Sequence, residues 1–185
     1  MRTVRAGRSF RKPEASQEQE MKTIEIVYAS KTGTSKDVAR RIAENLNSAL
    51  KPAEIQAESV ELSGRNGDST PWAVIAGGPI NGMRLRQDIG NFIDGEQLFA
   101  VFSVSYLVKH ARKMWQKSIT RNVAEHASRA GAETYRVFGG RAESAMPGFA
   151  RFLFGLPADM PMETLDMSEV DEWSGELAEK LRSRI

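Results

Sequence analysis

The chain of 185 residues contains no cysteine. Disulfides, iron–sulfur clusters and thiol chemistry are therefore excluded. Histidine is almost as scarce: His110 and His126 are the only two, set well apart in a stretch with helical patterning. No His/Glu grouping has metal-ligand spacing, so any redox chemistry has to come from an organic cofactor. Long apolar runs are also missing, and no segment approaches the ~20 residues of a membrane-spanning helix. Charge is nearly balanced, with 26 basic and 24 acidic residues and a net charge of +2. Residues 1–20 carry five basic and three acidic residues, an excess equal to that whole net charge. That segment has little apolar content and no periodicity, and it reads as a disordered basic tail preceding one domain over residues 21–185. Met21 would itself serve as a start. The tail lacks the apolar middle of a secretion signal, and its basic residues lack interleaved aromatics apart from Phe10, so no nucleic-acid partner is expected.

What is present is organised around residues 24–50, IEIVYASKTGTSKDVARRIAENLNSAL. Ile24, Ile26, Val27 and Tyr28 make a strand apolar enough to be buried on both faces. Val38, Ala39, Ile42, Ala43, Leu46 and Leu50 fall on one helical stripe, with Lys36, Arg40, Arg41 and Glu44 largely opposite. Ser30, Lys31, Thr32, Gly33, Thr34 and Ser35 lie between them, at the positive end of the helix. First-turn N–H groups without partners, the helix dipole, a glycine that admits close approach and four hydroxyls together suit a phosphate. A plain N-cap closed by Thr32 or Thr34 is the alternative. The spacing matches neither GxxxxGK[ST] nor GxGxxG.

Further strands are expected at residues 53–62, 72–76, 98–104 and 133–138, and helices at 84–93, 109–130 and 168–184, the last opened by a Ser cap. Alternating strands and helices, most strands apolar throughout, predict an α/β, three-layer fold on a parallel sheet. Ligands of such sheets sit beyond the carboxyl ends of the strands, where the strand order reverses. Three loops converge there: residues 30–35, residues 77–82 (Gly77, Gly78, Pro79, Ile80, Asn81, Gly82) and residues 104–108, with Ser105, Tyr106 and Leu107 at their centre.

A strand ending in a hydroxyl-x-Thr-Gly-x-hydroxyl turn that opens a helix resembles the phosphate loop of flavodoxins. Ser30 and Ser35 stand where that family has Thr, and Thr34 where it has Asn. The resemblance implies a five-stranded parallel sheet in the order 2-1-3-4-5 and FMN as cofactor. It implies that residues 30–35 anchor the FMN phosphate and that residues 77–82 and 105–107 hold the ring. Gly77 and Gly78 would bring backbone close to the flavin, and Asn81-Gly82 would take positive φ beside it; turn chemistry alone is the other reading. Tyr106 is either a ring-stacking aromatic or a boundary tyrosine with its hydroxyl in water.

Two features depart from an ordinary flavodoxin carrier, which is strongly acidic. Lys109, His110, Arg112, Lys113 and Lys117 make a basic stretch, either a solvated helix face or an attractor of anions. Residues 141–161 form an extra segment, in which Phe149, Phe152, Leu153, Phe154 and Leu156 reads first as a helix packed on the core and otherwise as an exposed patch. Both features are similar to the flavodoxin-like protoporphyrinogen IX dehydrogenases of bacteria. That resemblance implies an FMN oxidoreductase of porphyrin biosynthesis, with porphyrinogen as substrate and a quinone or a redox protein as acceptor. It further implies a cytoplasmic location, peripheral to the inner face of the membrane through residues 149–156. The competing readings are an electron carrier without its own substrate and an interaction module that has lost the flavin.

Overall fold

The computed structural model describes residues 22–142 and 146–185, so the expected tail at residues 1–20 lies outside the described residues. Five parallel strands run in the order β2-β1-β3-β5-β6, which is the expected 2-1-3-4-5 once a short antiparallel strand is set aside. These are β1 (Thr23–Tyr28), β2 (Gln56–Glu61), β3 (Ala73–Asn81), β5 (Ala100–Val104) and β6 (Thr134–Phe138), with β4 (Arg84–Leu85) folded back on the end of β3.

Each face of the sheet has its own core. Ile24, Ile26 and Tyr28 of β1 point toward α1 (Thr34–Leu50) and α5 (Met167–Arg182), in a cluster with Phe102, Phe138 and Trp173. Val27 and Ala29 point the other way, toward α2 (Gln87–Gly95) and α3 (Lys113–Arg129), in a cluster with Ile89, Val101 and Val123. Period-two alternation in a strand thus feeds two apolar faces, and the three-layer sandwich follows. The α1 stripe read from the sequence is buried in full.

Several boundaries differ from expectation, each through a specific hydrogen-bonded contact. The helix expected from residue 84 begins at Gln87, because Arg84 and Leu85 pair with Asn81 and Ile80 instead. Gly82 and Met83 form the two-residue turn with φ of 56° and 70°, the doubly positive geometry of a tight hairpin. The helix expected from residue 109 begins at Lys113, since the Arg112 N–H is drawn to the Phe154 carbonyl at 2.8 Å. The last helix is capped by Asp166 rather than Ser168: the Asp166 carboxylate accepts from the Ser168 N–H at 2.9 Å.

Residues 149–156 are helical in part, as α4 (Gly148–Phe154), but they do not pack on the core. Phe149 is 79% exposed, Phe152 75% and Leu153 42%. Of the three phenylalanines of α4, Phe154 is the one that turns inward, edge-on to Trp115 with ring centroids 5.6 Å apart. Arg112 holds the outer face by donating to the Phe152 carbonyl at 3.1 Å and lying over its ring.

Candidate functional site

The end of β1 and the start of α1 build the centre of the site. Gly33 is the N-cap residue at φ 89°, a left-handed conformation that L side chains rarely adopt, and its carbonyl accepts the first helical bond from Asp37 at 2.9 Å. No side chain caps α1, which sets aside the plain N-cap alternative. The first-turn N–H groups accordingly face the loop with the positive end of the dipole behind them. Ser30 Oγ accepts from the Gly33 N–H at 3.0 Å and fixes the turn. Thr32 and Thr34 hydroxyl oxygens lie 3.2 Å apart. Thr34 and Ser35 are only 2% and 1% exposed, polar groups held inward at a helix start.

Beside this turn is a cleft of about 270 Å³ at the carboxyl ends of the strands, walled by Lys31, Thr32, Thr34, Pro79, Ile80, Asn81, Val104, Tyr106 and Gly140, with Arg86 and Arg141 at its edges. Its volume lies near the lower bound of ~300–1,000 Å³ for small-molecule sites, so a planar ring would be only partly enclosed. Ile80 gives one wall an aliphatic surface and Tyr106 gives another an aromatic one. The Tyr106 hydroxyl is not left to water; it donates to the Pro161 carbonyl at 2.9 Å, tying the loop after β5 to the extra segment.

Of the site residues expected from the sequence, Ser30, Gly33, Ser35, Gly77, Gly78, Gly82, Ser105 and Leu107 do not line this cleft, the first three lying in the turn beside it. Gly77 and Gly78 belong to β3 itself. Gly77 is paired across the sheet with Phe102, and a Cβ built on it would come within 2.5 Å of the Phe102 ring. A Cβ on Gly78 would lie 2.9 Å from Ile89 Cγ2 of α2. Both glycines therefore permit close packing. Ser105 is buried, its Oγ accepting from the Leu107 N–H at 3.3 Å to shape the loop.

Arg86, Gly140 and Arg141 reach the cleft from outside the three expected loops, whereas Val104 reaches it from the start of the third. Arg86 Nη2 sits 2.7 Å from Asp88 Oδ2, and this guanidinium holds the Asp88 carboxyl below the usual carboxylate range. Arg141 pairs with Glu163 at 2.8 Å. Gly140 makes room for the loop after β5: a Cβ there would meet the Tyr106 nitrogen at 2.9 Å. The only sequence signal was the Gly139-Gly140 break after β6; nothing local tells that Arg86 and Arg141 end on one rim.

A doubly wound parallel sheet with an uncapped, hydroxyl-lined helix start and an adjoining cleft defines a phosphate-bearing, ring-binding α/β protein. Residues 25–161 match the flavodoxin domain family, and the chain belongs to it. Solved structures agree on the fold. A short-chain flavodoxin associated with a non-canonical PDU bacterial microcompartment is 14% identical, with a TM-score of 0.53 over 89% of this chain and 99% of that one. An oxidoreductase from Corynebacterium diphtheriae is 12% identical, with a TM-score of 0.54 over 86% of this chain and 96% of that one. A flavodoxin from the domain Archaea is 14% identical, with a TM-score of 0.53 over 86% and 99%. No curated protein matches the chain. Family membership implies FMN as the cofactor and a redox function. The donor set fits that group: a dianionic phosphate needs N–H and hydroxyl donors at a positive helix end, and a flavin needs an apolar slot beside it.

Proposed function

We propose that this protein is an FMN-dependent oxidoreductase that oxidises protoporphyrinogen IX and passes the electrons to a quinone. Bound FMN supplies the two-electron acceptor. The chain's own residues hold and shield. Residues 30–35 would anchor the phosphate, Ile80 and Tyr106 would exclude water from the ring faces, and Arg86 and Arg141 would orient the propionates of the substrate at the rim. No side chain on the cleft is placed as an obligatory acid or base, consistent with chemistry carried by the cofactor. In each turnover the porphyrinogen gives up two electrons and two protons, and the quinone takes them up as quinol.

The observation that carries this reading is the extra segment. It starts at the cleft rim with Arg141, displays Phe149, Phe152 and Leu153 to solvent, and returns to the site at Pro161 on the Tyr106 hydroxyl. An apolar, arginine-flanked surface joined to a redox cleft suits an apolar acceptor in or on an anionic membrane surface, as an interfacial contact does. Among the described residues no helix is long and apolar enough to cross a membrane.

The test is an absorbance spectrum after FMN is added and excess removed, followed by anaerobic mixing with protoporphyrinogen IX and a short-chain quinone. Retained flavin with porphyrin fluorescence growing on quinone addition supports the proposal. Retained flavin without porphyrin formation makes the protein a carrier. A folded protein that retains no flavin refutes both.

A further inference from the structure

A second cavity lies on the other side of the β3–β4 hairpin from the FMN cleft. Its volume is about 700 Å³, and the hairpin, α2 and α3 line it as a half-open groove. Its walls are polar, with Met83 and Leu85 giving the principal apolar surface. Three arginines, Arg84, Arg121 and Arg129, line it against one carboxylate, Glu125, with Asp94 bonded to Arg129 behind the wall.

Both Glu125 and the Asp94 behind it are already engaged. Glu125 pairs with Arg121 at 3.1 Å, one turn along α3. Asp94 accepts from Arg129 Nε at 2.9 Å and lies 2.6 Å from His126 Nδ1. Burial pushes the Asp94 carboxyl up, but Arg129 and His126 more than offset it, so it stays below its ordinary range. Nδ1 of His126 lies between Asp94 Oδ1 and Arg129 Nη2, the latter at 2.9 Å, and the other ring nitrogen packs against Gly90. A Cβ at that glycine would lie 3.6 Å from Nε2. Arg84 has no ion pair among the described residues. Asn122 uses its side-chain oxygen on the Leu85 N–H at 2.8 Å, leaving its NH₂ as a donor.

The cavity therefore offers cationic and neutral donors and no uncommitted carboxylate. Arg121 and Arg129 share those pairs, but three guanidiniums against one lining carboxylate leave the wall net positive: a cation would be repelled, and an apolar molecule would strip water from arginines without replacing it. We infer that this cavity is a second small-molecule site, for an oxyanion: a phosphorylated or polycarboxylated metabolite held by Arg84, Arg121 and the amide of Asn122, with His126 beside it. The site is separate from the redox cleft and does not rest on the reaction proposed there. The two share the hairpin, however: Arg84 and Leu85 on the cavity are paired with Asn81 and Ile80 on the cleft.

The two histidines provide the assay. In the FMN-loaded full chain, the imidazole NMR signals of His126 report on the cavity and those of exposed His110 act as an internal reference. Titration with inorganic phosphate and, separately, with citrate at constant ionic strength should shift His126 saturably and leave His110 unmoved. Saturation by phosphate points to a phosphate ester, and saturation by citrate to a polycarboxylate. The double substitution Arg84→Gln, Arg121→Gln should weaken that binding at least tenfold, because charge-assisted bonds are lost. Both positions are exposed, so the ligand-free spectrum and the flavin content should stay as in the parent. Three outcomes overturn the site: no shift with either anion at millimolar concentration, an equal shift at His110, or a shift that survives the double substitution.

Discussion

Replacing Gly77 by Ala separates a packing glycine from a cofactor glycine. Gly77 lies at the centre of the sheet, directly opposite Phe102 on β5. The new methyl would stand within 2.5 Å of two ring carbons of Phe102 and nearer still to its carbonyl oxygen. Carbon contacts are comfortable at ~3.5–4.0 Å, so relief requires a movement of about 1 Å. Neither neighbour yields readily. The ring is fully buried among Ile26, Ile75 and Phe138, and the carbonyl belongs to strand backbone. Overpacking a well-filled core costs ~1–3 kcal/mol and occasionally more, and a clash with backbone belongs at the upper end. At about 3 kcal/mol, a chain of this size should lose roughly 6–12 °C in Tm. Thermal melts of the protein with and without FMN would show the same drop in both, because the clash does not involve the flavin. The double substitution Gly77→Ala, Phe102→Ala should be less destabilised than the sum of the two single changes, since the ring part of the clash is gone. An unchanged Tm combined with weakened FMN binding would refute the packing argument and return Gly77 to the cofactor.

Three further outcomes are expected. Gly33→Asp places a carboxylate at the helix start intended for phosphate, at φ 89°, so FMN retention should be lost while circular dichroism stays native; unchanged flavin content would show the phosphate site to be elsewhere. The pair Phe149→Ser, Phe152→Ser removes two side chains that are 79% and 75% exposed, so stability should move by less than about 0.5 kcal/mol while sedimentation with anionic vesicles falls; a collapse in Tm would mean that α4 is core. Asp171, bonded first to Arg41 and then to Asn45, is lowered to about 2. A depressed carboxylate contributes stability above its unfolded pKa of ~3.9 and loses it as pH falls toward 2. Because both partners are about 40% exposed, the contribution is under ~1 kcal/mol, and Arg41→Ala should flatten the acid limb of urea denaturation measured between those two pH values without changing Tm at neutral pH by more than a few degrees.

What the sequence determined by itself were the features written in short spacings. The alternation in β1, the stripe of α1 and the hydroxyl turn with Gly33 depend on residues within a few positions of one another. They suffice for the three-layer fold and for a phosphate-type helix start. Tertiary structure decided whatever depends on pairing or packing that leaves no periodic trace in the sequence. Gly77 and Gly78 look like loop glycines until Phe102 and Ile89 close on them. The start of α2 moves because Arg84 and Leu85 find β3, a pairing too short to leave a periodic signal. Arg86 and Arg141 are 55 positions apart in the chain and meet on one rim only because β3 and β6 end at the same edge of the sheet. The Phe-rich segment has the composition of a core helix, and composition cannot tell burial from display. That distinction came from where Arg112 and Trp115 hold α4, with Phe154 inward and Phe149 and Phe152 facing water.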